Sequence, residues 1–70
     1  MNPRTLTPRE RQVAHRVSQG LTAGQIGKEL GIAETTVRFY VHKIAERVPG
    51  RGLPMRRIAV WWIEAGGEEK

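Results

Sequence analysis

Six side chains in one short stretch, Thr35, Thr36, Arg38, Phe39, His42 and Lys43, hold most of the chemistry that this chain offers. On a helix turning by about 100° per residue, Thr35, Phe39, His42, Lys43 and Glu46 share one side, with Arg38 and Tyr40 on its flanks. The opposite side is a stripe of Val37, Val41, Ile44 and Val48 at i, i+4, i+7 and i+11, the spacing of a buried helix face. A phenyl ring at the centre of a polar face gains a globular domain nothing. On duplex DNA it can pack on a thymine methyl in the major groove; otherwise it covers a neighbour or a second copy of the chain. Arg38 can pair bidentately with a guanine edge or grip a phosphate, and His42 can donate to either. Thr35 and Thr36 bring hydroxyls and free backbone N–H groups to a helix start, where phosphates bind well.

These residues suit binding better than catalysis. Ser18 is the only serine and falls near the end of a helix; there is no cysteine and no Gly-rich phosphate loop. No Ser/His/acid set exists that so short a core could hold in geometry, so no enzyme is expected. His15 and His42 stand apart without an H-E-x-x-H spacing, so neither a metal site nor a cofactor is expected.

The elements that must position this face are legible from their ends. Thr7-Pro8-Arg9-Glu10 combines a capping hydroxyl, a proline at the first helical position and a Glu three residues after the cap. It predicts a helix over 8–19, with Val13, Ala14 and Val17 inward and Gly20 as its left-handed stop. Thr22 caps a second helix over 23–30, where Ile26 and Leu30 share a core face and Gly31 ends it. Gly27 lies beside Ile26 and suits a close approach by a neighbouring helix; Gly24 is an unexplained cost inside a helix. Ile32 plugs the core from the turn, and the third helix runs over 34–48. Pro49-Gly50-Arg51-Gly52-Leu53 breaks it and offers Arg51 as a phosphate contact. A fourth helix over 54–65 turns Met55, Ile58, Trp62 and Ala65 toward the core, and leaves Val60 and Ile63 on another side as a dimer or partner surface. The expected fold is all-α: a four-helix helix-turn-helix domain over 7–65, with a flexible arm at 1–6 and a disordered acidic tail at 66–70.

Charge agrees with a polyanionic partner. Residues 1–63 hold eleven Lys+Arg against four Asp+Glu, while Glu64, Glu68 and Glu69 crowd the end. No apolar run approaches the roughly 20 residues that span a bilayer. The N-terminus lacks the apolar core of a secretory signal, so the cytoplasm, and within it the nucleoid, is the expected location.

Four blocks sharpen the reading: Leu6-Thr7-Pro8-Arg9-Glu10-Arg11, Gly20-Leu21-Thr22, Ile26-Gly27-Lys28-Glu29-Leu30-Gly31-Ile32 and Thr36-Val37-Arg38. In this order and spacing they closely resemble the LuxR-type (GerE) DNA-binding domain, strongly over 6–48 and loosely over 54–65. The resemblance implies a bacterial transcription regulator of four helices, the third reading the major groove and the fourth commonly dimerising. By position it puts base or phosphate contacts at Thr36, Arg38, Phe39 and His42, and backbone contacts at Thr22 and Lys43. The chain departs from the family at Ala33, where a capping Ser, Thr or Asp is usual, at Phe39 and Tyr40, and in the Gly-rich loop 49–53.

The expected function is therefore sequence-specific double-stranded DNA binding by a small transcription regulator. A homodimer through the fourth helix is expected to be weak in solution and completed on DNA. The typical family member also carries an N-terminal receiver or ligand-binding domain that this sequence does not show, so two readings stay open, a fragment of a larger regulator and a stand-alone regulator. The short arm and acidic tail favour the second slightly, as in small phage or mobile-element proteins. The alternative is an adaptor of the same fold that docks on RNA polymerase or a phage packaging component. Its anchors would be Phe39, Tyr40, Trp61 and Trp62.

Overall fold

A computed structural model describes residues 5–66. Four helices follow in order: α1 (Pro8–Ser18), α2 (Ala23–Leu30), α3 (Glu34–Arg47) and α4 (Pro54–Glu64). Each starts where the local chemistry asks for it. The Thr7 hydroxyl accepts from the Glu10 amide at 3.2 Å, and Glu10 Oε1 accepts from the Thr7 amide at 3.0 Å, a complete capping box. Thr22 and Gln25 repeat the arrangement at α2, at 3.2 and 2.8 Å. No side chain caps α3 at Ala33, and α4 starts with Pro54 in its first turn. Three helices stop one residue earlier than their sequence patterns suggest. Gln19 and Ala65 are the caps of α1 and α4, and Val48 has already turned to extended backbone at the end of α3.

The tight turn between α2 and α3 depends on two glycines. Gly31 takes φ +70°, the left-handed region that a Cβ disfavours. Gly27 is buried under the turn itself. The Ile32 amide donates to the Gly27 carbonyl at 2.9 Å, and a Cβ added at Gly27 would stand 2.7 Å from the Ile32 carbonyl oxygen. The close approach is thus made by the turn and the entry to α3, not by a separate helix face. Gly27→Ala gains about 1 kcal/mol of helix propensity. It must also push backbone aside, at roughly 1–3 kcal/mol. We expect a net fall of several degrees in the midpoint of a thermal melt; a midpoint equal to or above that of the parent chain would contradict this packing.

α1 packs chiefly on α4, and α2 on α3, while α3 also rests on α1 and α4. Val13, Ile26, Val37, Ile44, Ile58 and Trp62 are sealed at the centre. Leu6 is also buried, so the segment before α1 contributes to the core rather than forming a flexible arm over its whole length. The rest of that arm, 1–4, and the tail residues 67–70 lie outside the described residues.

α4 differs most from its sequence pattern. Ile58, Trp61 and Trp62 are buried, Met55 is half-buried, and Ala65 is exposed at the helix end. The two adjacent indoles meet edge to face with centroids 6.2 Å apart, and Trp62 stacks on His15 of α1 at 6.0 Å. Both tryptophans are therefore core residues and cannot serve as the surface anchors of an adaptor.

Glu10 has a second task that its capping role hides. It is 2% exposed, and its Oε2 accepts from Arg47 Nη2 at the end of α3, at 2.6 Å. Burial pushes its carboxyl up, but the Thr7 amide, the Arg47 guanidinium and the Thr7 hydroxyl together outweigh that and hold it below the usual carboxylate range.

Candidate nucleic-acid interface

The inner face of α3, Val37, Val41, Ile44 and Ala45, is buried against the other helices. This fixes the rotation of α3. Thr35, Thr36, Arg38, Phe39, His42 and Lys43 are all exposed on its outer side. Phe39 keeps 59% of its surface open. Its ring is nevertheless held: Tyr40, half-buried, meets it edge-on at 6.0 Å, and Lys43 Nζ lies 5.5 Å from its centroid. A cation over a ring face is attracted by about 0.5–1 kcal/mol at an exposed site. Lys43 and Phe39 thus form one unit with an apolar surface and a positive edge.

Arg38 is engaged along its own helix. Glu34 Oε2 accepts from its Nη2 at 2.7 Å and its Nε at 3.2 Å. At the N-terminus of α3, the uncapped start leaves backbone donors beside Thr35 and Thr36 for an incoming oxygen.

Three of the predicted contacts line one open groove of about 660 Å³: Thr22 from the start of α2, and Arg38 and His42 from α3. Leu53, Met55 and Arg56 of the α4 entry close its other side. Arg56 is an exposed cation at this rim that sequence reasoning passed over, since only the packing of α4 on α3 brings it near. Arg51 is exposed on the loop before α4 and is not part of the groove. Val60 and Ile63, 48% and 67% exposed, lie on α4, which contributes Ile58, Trp61 and Trp62 to the core. Leu53, 76% exposed, is a further bare apolar side chain.

The luxR family of bacterial regulatory proteins, represented by GerE, matches residues 4–49, which hold α1, α2, the turn and α3. The chain belongs to that family. It is similar to the two-component response regulator PprB of Pseudomonas aeruginosa, 54% identical over 39 residues, which are 56% of this chain and 14% of that protein. It is also similar to nodulation protein W of Bradyrhizobium diazoefficiens, 41% identical over 49 residues, 70% of this chain and 22% of that one. The chain thus spans less than a quarter of the length of these curated relatives. No solved structure matches it. Among the described residues no helix is long and apolar enough to cross a membrane. A LuxR-type helix-turn-helix domain points to DNA binding in the regulation of transcription.

Proposed function

We propose that this chain binds double-stranded DNA sequence-specifically and regulates transcription by placing α3 in the major groove. Arg38, Phe39 and His42 meet base edges, while Thr22, Thr35, Thr36, Lys43 and Arg51 hold the backbone. The observation that carries this reading is the open ring of Phe39 on a polar helix face whose opposite side is sealed in the core. A solvated face has no use for it, whereas the methyl-lined floor of the major groove does. Membership of the luxR family supports the same reading. Val60 and Ile63 are the surface through which a second copy joins on DNA, and paired half-sites one helical turn apart suit such a dimer.

Variants at two of these positions separate the assigned roles. Phe39→Ala is expected to weaken binding to a preferred duplex by about tenfold, or ~1.4 kcal/mol, with little change on random duplex. Arg51→Ala is expected to weaken both alike and to reduce the log–log salt slope by about one. Fluorescence anisotropy titrations at several salt concentrations measure both quantities. Equal loss on preferred and random duplex in both variants contradicts the assignment.

A further inference from the structure

Glu34 is an exposed residue at the start of α3, on the side that faces α2. It stands in the first turn of a helix that no side chain caps, where a carboxylate gains from the helix dipole. Its geometry shows more than that. Oε2 takes two donors of Arg38, Nη2 and Nε. Oε1 lies against α2, 3.2 Å from where a Cβ on Gly24 would stand. The carboxylate therefore sits between Gly24 and Arg38, and Gly24, a costly residue within a helix, is what leaves it room. A methyl group there would oblige Glu34 to give way by a few tenths of an ångström.

We propose that Glu34 is a positioning residue that commits Arg38 to reading a base instead of gripping a phosphate, with Gly24 making the space. A guanidinium offers five N–H donors in a planar fork. The side edge, Nε and Nη2, is spent on Glu34. The end edge, Nη1 with the outer hydrogen of Nη2, has no partner among the described residues. Its two parallel donors match O6 and N7 of guanine. The ion pair also cancels the charge of Arg38 and sets a carboxylate where a phosphate would have to come, so Arg38 adds little to counterion release. Both side chains are largely exposed, 65% and 51%, so the pair contributes little to stability. Directing Arg38 is the effect it can have. This inference rests on the base-reading function proposed above and names what fixes one of its readers.

The test compares the full chain with Glu34→Gln, Gly24→Ala, Arg38→Ala and the Glu34→Gln/Arg38→Ala double variant. The duplex motif selected by the parent chain and a random-sequence duplex serve as probes. Glu34→Gln is expected to bind random duplex several-fold tighter, with a salt slope steeper by about one as Arg38 gains a phosphate. Guanine preference at one motif position is expected to fall by a few-fold, the most that so exposed a pair can supply. Gly24→Ala, which alters no charge, is expected to lower that preference in the same direction, and Glu34→Gln is expected to have no effect on it once Arg38 is alanine. If Glu34→Gln weakens both duplexes in proportion and leaves base preference unchanged, Glu34 serves only the helix start and the inference is overturned. If the parent chain selects no motif at all, the base-reading function fails and this inference with it.

Discussion

Trp62→Ala is expected to destabilise the fold by about 3–5 kcal/mol. Trp62 is 1% exposed, stacks on His15 of α1 and meets Trp61 edge to face. It thereby joins the two helices that pack most extensively on each other. Truncating a buried Trp costs about 3–5 kcal/mol, because the lost transfer energy adds to the cost of the cavity. A domain of this length has a total stability of roughly 4–10 kcal/mol. One substitution therefore removes a third of the stability or all of it. The indole Nε1 softens the loss only slightly: it is buried with no acceptor among the described residues, so it already carries a desolvation cost in the native state. Urea unfolding followed by far-UV circular dichroism measures the effect. A midpoint and slope matching the parent chain would show that α1 and α4 are not joined through this ring.

Arg47→Met is the second large effect, and its size should depend on pH. Removing the guanidinium leaves the buried Glu10 carboxyl without its charged partner, held by the Thr7 donors. Breaking a buried pair in this way costs about 3–5 kcal/mol. The Arg47 side chain is 42% exposed, so water reaches one side of the pair and about 2 kcal/mol is the better expectation. The sign with pH follows from the lowered carboxyl of Glu10. A group whose folded pKa lies below its unfolded value stabilises the fold above the unfolded value, near 4.5. That contribution disappears as pH falls through the folded value. The parent chain should thus lose stability on acidification below about pH 4.5. The gap between it and Arg47→Met should be widest near neutrality and should close in acid. Thermal melts of both chains from pH 7 to pH 3 test this; a gap independent of pH would mean that Arg47 acts by packing alone.

The origin of that ion pair shows where sequence reasoning stops. Thr7, Glu10, Thr22 and the glycines at 20 and 31 announce helix ends because caps and stops are local chemistry, settled within four residues. The α3 stripe was legible for the same reason, since four valine or isoleucine positions at helical spacing fix one inward face. Glu10 and Arg47 are 37 residues apart, and no local pattern connects them. The burial of Trp61 was equally hidden. Periodicity picks one stripe, whereas α4 meets α1 over a face broad enough to take two adjacent indoles. The room that Gly24 leaves is meaningful only beside Glu34 of the next helix, ten residues on.

The candidate site was legible where it depends on the rotation of α3 alone. Thr35, Phe39, His42 and Lys43 are outward and Arg38 is exposed on the flank, as their spacing suggests; Thr36, placed by the helix start and not by spacing, is exposed beside them. The i, i+4 spacing of Glu34 and Arg38 is a local pattern too, and it forms the ion pair on which the proposed role of Arg38 rests. Arg56 and Leu53 join the rim only through the packing of α4 on α3, a relation between elements that no single element encodes.

Selection of bound duplexes from a random DNA library, with the full chain at near-physiological salt, tests the central claim most directly. A helix face that reads bases predicts an enriched motif containing a guanine position that Arg38→Ala abolishes; two-fold symmetry in the motif would report a dimer. Retention of all duplexes without enrichment, lost as salt rises, would be counterion-driven binding alone and would contradict the claim that α3 reads sequence.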